Sequence, residues 1–126
     1  MNVLVVEDQD AIRRMIEALM TARGHTVASA PTGPKALEMA LQRHPDVVLL
    51  DVNLPGGLDG IEVCRRLRTT PETSAAMIVM ISAMDDAETR GRAFEAGAIA
   101  YYTKPFSPTA LLKEIDGLTL KHAQKG

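Results

Sequence analysis

Short apolar runs alternate along this chain with longer stretches in which apolar residues recur every three or four positions. The runs are Val3-Leu4-Val5-Val6, Thr26-Val27-Ala28, Val47-Val48-Leu49-Leu50, Met77-Ile78-Val79-Met80-Ile81 and Ile99-Ala100-Tyr101-Tyr102. Runs of this length with no polar alternation fit strands covered on both faces, as in a parallel sheet. The stretches between them fit helices. Ile12, Met15, Ile16, Leu19 and Met20 share one face of a helix expected from about Gln9 to Arg23, stopped by Gly24. Thr32 and Pro34 open a second helix, carrying Ala36, Leu37, Ala40 and Leu41, that ends before Pro45. A third spans roughly Gly60 to Thr69. A fourth opens at Asp85-Asp86-Ala87-Glu88 and closes at Gly97, and a fifth opens at Ser107-Pro108.

Five strand–helix units imply an α/β fold, (βα)5, with a parallel sheet covered on both faces. Right-handed crossovers restrict it to a doubly wound form. The 126 residues suit one domain. Residues 1–120 are expected to form it, with Lys121 to Gly126 a polar, frayed tail.

Composition narrows the function classes. A net charge of −2 supplies no positive field for nucleic acid or acidic membranes, and aromatics at 3% supply no base-stacking platform. No apolar run approaches the ~20 residues of a membrane span. Glu7 and Asp8 interrupt the first apolar run, so no signal peptide is read there. Cys64 is the sole cysteine and has no internal partner, which points to a reducing, cytoplasmic setting. Its spacing from Ile61 and Leu67 makes it a packing residue.

Ligands of open α/β sheets bind beyond the carboxyl ends of the strands. Glu7 and Asp8 follow the first run, Asp51 the third, Ser82 the fourth and Lys104 the fifth. Carboxylates crowded on one rim repel unless a cation lies among them, and an oxygen-rich set favours a hard ion such as Mg²⁺. A carboxylate beside that ion can attack phosphorus. Lys104 offers a point charge and Ser82 a hydroxyl for phosphoryl oxygens, so the set is complete for forming an acyl phosphate. Taken singly each residue has an ordinary reading: Asp8 a helix cap, Asp51 a turn, Lys104 a surface lysine, the tyrosines mere strand formers. Those readings must all hold at once, on one rim, for the site to be an accident. His25, His44 and His122 are too scattered for a metal centre.

Four motifs carry a resemblance: Val5-Val6-Glu7-Asp8, Asp51-Val52-Asn53-Leu54-Pro55 with Asp59-Gly60, Ile81-Ser82-Ala83, and Tyr101-Tyr102-Thr103-Lys104-Pro105-Phe106. In this order, each at a strand end, they resemble the response-regulator receiver domains of two-component phosphorelays, including the single-domain chemotaxis regulators. The resemblance implies a flavodoxin-like strand order 2-1-3-4-5 and assigns Asp51 as phosphoacceptor. It makes Asp8 a direct Mg²⁺ ligand, Glu7 a ligand through water, and Asn53 the donor of a backbone carbonyl. Ser82 would be the switch hydroxyl, Lys104 the phosphate-binding lysine, and Tyr101 the aromatic that rotates inward once Ser82 is drawn to the phosphoryl group. The bond before Pro105 is expected to be cis. The surface from helix four through strand five to helix five would be the output.

By the same resemblance the chain takes its phosphoryl group from a histidine kinase or a histidine phosphotransfer protein and acts on a downstream effector or an attached output domain. It is a phosphoacceptor with self-catalysed transfer and autodephosphorylation rather than an enzyme with an external substrate, and a monomer or weak phosphorylation-dependent dimer. Neither nucleic acid nor a membrane is an expected direct partner. Lys104, on an accessible rim, is expected to matter more for signalling than for stability. This sequence departs from the family pattern in three places: Ser82 stands where threonine is commoner, the loop Pro55-Gly56-Gly57-Leu58-Asp59 is one residue longer, and Met84 occupies a position that tunes phosphoryl lifetime.

Other classes fit less well. An aspartyl-nucleophile phosphatase needs an acid two residues after the nucleophile, where this chain has Asn53. A flavin site needs a phosphate loop after strand one, where Glu7 and Asp8 repel phosphate. A pseudo-receiver used only for docking has no need of the intact acidic set.

Overall fold

The computed structural model describes Met1 to Lys125; Gly126 lies outside the described residues. Elements alternate: β1 (Asn2–Val6), α1 (Asp10–Ala22), β2 (Thr26–Ala30), α2 (Gly33–Arg43), β3 (Val47–Leu50), α3 (Gly60–Thr69), β4 (Met77–Ser82), α4 (Ala87–Glu95), β5 (Ala100–Thr103) and α5 (Pro108–Lys125). The strands form one parallel sheet in the order β2-β1-β3-β4-β5. Strand order reverses between β1 and β3, so the switch point lies where Glu7, Asp8 and Asp51 leave the sheet.

The pleat splits each apolar run between two cores. Leu4, Val6, Val48, Leu50, Ile78, Met80 and Tyr101 face Ala36, Ala40, Ile61, Cys64, Leu67 and Ala93 of α2, α3 and α4. Val3, Val5, Val47, Leu49, Val79 and Ile81 face Ile16, Met20, Leu111, Ile115 and Leu118 of α1 and α5. Neighbours Tyr101 and Tyr102 therefore belong to opposite faces. Cys64 is buried; burial pushes its thiol up to about 11, and its Sγ donates to Ala96 O. It is the packing residue its spacing indicated.

Helix starts follow their caps. Thr32 Oγ1 accepts from Lys35 N, Asp59 Oδ1 from Glu62 N and Asp86 Oδ2 from Thr89 N. Helix α1 differs: its N-cap is Gln9, with no side-chain bond. Asp8 is thus not spent on capping.

Two boundaries depart from expectation. Strand β2 extends to Ala30, because pairing with β1 runs on through Val6↔Ala30. The segment from Lys121, expected as a frayed tail, continues α5 to Lys125. Lys, His, Ala and Gln are adequate helix formers, and nothing before Gly126 breaks the ladder.

Candidate functional site

Strands β1, β3 and β5 deliver four charged groups to the same rim. Glu7 follows β1 and is buried; its backbone is tied down on two sides, by Glu7 N–H donating to Ala30 O and by Arg13 Nη1 donating to Glu7 O. Asp8 is exposed beside it. Asp51 follows β3, is 5% exposed, and is fixed by its N–H to Val6 O and by Oδ1 accepting from Asn53 N at 3.1 Å. Lys104 follows β5, held by its N–H to Ser82 O, and the Lys104–Pro105 peptide is cis.

The Lys104 ammonium bridges two of the acids, donating to Asp51 Oδ2 at 2.9 Å and to Glu7 Oε1 at 2.5 Å. Burial works to lower its pKa, but the hydrogen bonds to Glu7 and Asp51 together with the charges of both acids outweigh burial and hold it above the ordinary lysine value. Glu7 Oε2 also accepts from Gln9 N at 3.1 Å. Glu7 is therefore an ion-pair partner of Lys104 as well as a member of the acidic set, a contact that its place in the sequence did not reveal.

Glu7, Asp8 and Asp51 each place a carboxylate oxygen within 4.8 Å of the others. One lysine offsets one of these three negative charges, so two remain on a single rim. That surplus, with oxygen donors throughout, fits a hard divalent cation. The cavity above them, about 480 Å³, is lined by Asp8, Gln9, Ile12, Asp51, Asn53, Ala83, Lys104 and Pro105. Asp51 and Lys104 thus lie in the wall of one cavity.

Gly60 is a residue whose importance only the packing reveals. A Cβ there would lie 1.9 Å from the carbonyl oxygen of Asp51, and Gly60 N–H donates to Val52 O at 2.7 Å. The start of α3 thus presses against the backbone of Asp51. The lengthened loop before it turns through Gly56 (φ 91°) and Gly57 (φ 79°), a pair of left-handed positions that glycine adopts without strain.

Ser82 and Tyr101 lie behind this cavity rather than in its lining. Ser82 is fully buried, and its Oγ accepts from Met84 N at 3.1 Å. Tyr101 is 9% exposed, with its hydroxyl donating to Met84 O at 2.7 Å. The tyrosine is thus inward in an arrangement in which Ser82 Oγ is bonded to the Met84 amide. Asp85, Arg90 and Thr103, which surround it, were not singled out as a group in the sequence, since they come from different elements.

A family model described as the response regulator receiver domain matches residues 3–116. Among curated proteins, the response regulator PleD of Caulobacter vibrioides is 41% identical over 118 residues, covering 94% of this chain and 26% of PleD. The transcriptional regulatory protein ResD of Bacillus subtilis is 35% identical over 123 residues, covering 98% of this chain and 50% of ResD. The chain thus spans a quarter to a half of the length of these relatives. Among solved structures, a response regulator from Chloroflexus aurantiacus J-10-fl superposes with TM-score 0.86 at 35% identity, over 93% of this chain and 95% of that one. The chemotaxis protein CheY4 of Vibrio cholerae gives TM-score 0.86 at 30% identity, over 93% and 97%.

Proposed function

Because the chain belongs to the response-regulator receiver family of two-component systems, whose members are phosphorylated on aspartate, we propose that Asp51 is its phosphoacceptor and that Glu7, Asp8, Asp51 and the Asn53 carbonyl hold Mg²⁺. The observation that carries this is the rim itself: a nucleophilic carboxylate at the mouth of a cavity, two further acids within 4.8 Å, and a lysine on its second oxygen.

Each residue has a chemical task. An Asp51 oxygen attacks phosphorus, its bond to phosphorus forms, and the bond to the donor's leaving group breaks. When the donor is a phosphohistidine, the leaving imidazole takes up a proton. Bound Mg²⁺ would neutralise the charge on the transferring oxygens. Lys104, already between Glu7 and Asp51, shifts to a phosphoryl oxygen as negative charge grows there. The Asn53 N–H on Asp51 Oδ1 orients the carboxylate for attack. Ser82 supplies the hydroxyl that binds a phosphoryl oxygen, and the chain catalyses both the phosphorylation of Asp51 and the attack of water that returns the acyl phosphate to carboxylate and inorganic phosphate.

Response regulators are phosphorylated by histidine kinases, and relatives such as PleD and ResD are much longer than this chain. In our reading the partners are a histidine kinase or a histidine phosphotransfer protein on one side and an effector or attached output domain on the other. Residues 1–120 form the receiver unit, and the helical turn after Leu120 suits either a free terminus or the start of a linker. No helix among the described residues is long and apolar enough to cross a membrane. We place the protein in the cytoplasm on the strength of its kinase-type donor and unpaired Cys64.

The test is intact mass after incubation with acetyl phosphate and Mg²⁺. One added phosphoryl group, absent in Asp51→Asn, is the expected result. Equal labelling of Asp51→Asn in the same peptide would move the acceptor elsewhere. Calorimetric titration of Mg²⁺ should show weaker binding in Asp8→Asn, and equal affinity would remove Asp8 from the metal set.

A further inference from the structure

Tyr101 is enclosed on its outer side by a three-residue clasp drawn from the β4–α4 loop, α4 and β5. The Arg90 guanidinium carbon lies 4.8 Å from the Tyr101 ring centroid. Its Nη2 donates to Asp85 Oδ1 at 3.1 Å and to Thr103 Oγ1 at 3.0 Å, and Nε donates to the same Asp85 oxygen at 3.3 Å. Thr103 Oγ1 closes the ring on Asp85 Oδ1 at 3.2 Å. On its inner side the tyrosine hydroxyl is held by Met84 O. Any one exposed ion pair contributes little. Here the Nε–Nη2 edge of the guanidinium is held by two partners from different elements, which keeps its plane over the Tyr101 ring.

We propose that Arg90 is a positioning residue that locks Tyr101 inward before Asp51 is phosphorylated. Outward rotation of the ring must break the Met84 bond and lift the guanidinium off both Asp85 and Thr103. The β4–α4 loop and β5 are then already joined in one arrangement, and phosphorylation acts on the remaining free element, the Ser82–Met84 link. Drawing Ser82 Oγ toward a phosphoryl oxygen takes the acceptor from Met84 N–H, while Met84 O stays bound to the tyrosine. This consequence rests on the phosphoacceptor reading of Asp51; the clasp itself does not.

If the phosphorylated state needs Tyr101 inward, loosening the clasp weakens binding of a phosphoryl mimic, because a competent fraction below one reduces apparent affinity in proportion. The experiment uses ¹³C-tyrosine NMR to read the Tyr101 χ1 rotamer, with and without Mg²⁺ and beryllofluoride, in wild type, Arg90→Met and Arg90→Lys. Wild type should show one inward rotamer in both conditions. Arg90→Met, which keeps bulk and loses both charge and fork, should average between rotamers and bind beryllofluoride roughly threefold to tenfold more weakly, the range of a modest cation–π contact. Arg90→Lys keeps charge without the fork and should fall between. An averaged wild-type ring without beryllofluoride, or a ring that stays fixed in Arg90→Met, overturns the clasp. A freed ring with unchanged beryllofluoride affinity overturns its link to the site. Failure of wild type to take beryllofluoride while its ring stays fixed would instead sink the phosphoacceptor reading and leave the clasp standing.

Discussion

Both ends of the sheet carry titratable side chains over a cavity, and the two sets differ in how deeply they are held. At the carboxyl ends Glu7, Asp51 and Lys104 keep 2%, 6% and 13% of their side-chain surface. At the amino ends His44, Asp46, Glu72 and His122 line a cavity of about 260 Å³. There one histidine–carboxylate contact, His122 Nε2 to Asp46 Oδ1, is 3.8 Å long between side chains 49% and 26% exposed. Asp46 Oδ2 is already committed to Asn2 N–H. The difference lies in what holds the charges. On the rim each follows directly from a strand of the sheet, so the sheet fixes its place, and the charges of the buried Glu7 and Asp51 are weakly screened. At the base the histidines sit at a helix C-cap and in the last turns of α5, where water screens them. A residue list would rate the two clusters alike; burial and backbone support separate them.

The comparison breaks most sharply under substitution of its acids. Asp51→Asn should abolish labelling by acetyl phosphate, whereas Asp46→Asn should leave the labelled fraction at the wild-type level, both read by intact mass. Next in size is Lys104→Ala. Removing the ammonium leaves Glu7 and Asp51 buried and uncompensated, which costs about 3–5 kcal/mol in the metal-free protein. Urea unfolding should show that loss, and Mg²⁺ should recover part of it by binding the folded state alone. His122→Ala should stay within about 0.5 kcal/mol of wild type with or without Mg²⁺. The small exposure of Lys104 thus removes the accessible-rim premise from which a larger effect on signalling than on stability was expected. Gly60→Ala comes third: its methyl group must displace the Asp51 backbone, at a cost of about 2 kcal/mol and with slower labelling.

The smallest effect concerns a group on neither rim nor base. The Tyr102 hydroxyl donates to Glu114 Oε1 at 2.9 Å, and burial, that bond and the Glu114 charge push its pKa up to about 12. A raised folded-state pKa stabilises below the unfolded value, near 10, and that contribution is lost as pH climbs from there toward 12. Absorbance titration at tyrosinate wavelengths should show a late step that disappears in Tyr102→Phe. A single tyrosinate step complete by about pH 11 would remove the bond to Glu114 from solution.

The order of elements, the two-sided strands and the gathering of Glu7, Asp8, Asp51, Ser82 and Lys104 at strand ends were legible in the sequence. Periodicity of 2 and 3.6 reports which faces are apolar, and a strand end is where apolar residues stop. Helix starts at Thr32, Asp86 and Ser107 were legible for the same local reason, since a cap involves only residues three apart. The sequence left open everything that depends on groups far apart in the chain. Lys104 lies 97 residues from Glu7, and no local pattern says that it bridges two acids. Arg90 reaches Thr103 across 13 residues, and Gly60 is pinned by a carbonyl nine positions earlier. The chain sets which side chains exist at each strand end, because local sterics and solvation act on neighbours. Which of them pair, and which remain in excess for a cation, is set by packing, since Coulomb energy and desolvation depend on distances that only the folded sheet defines.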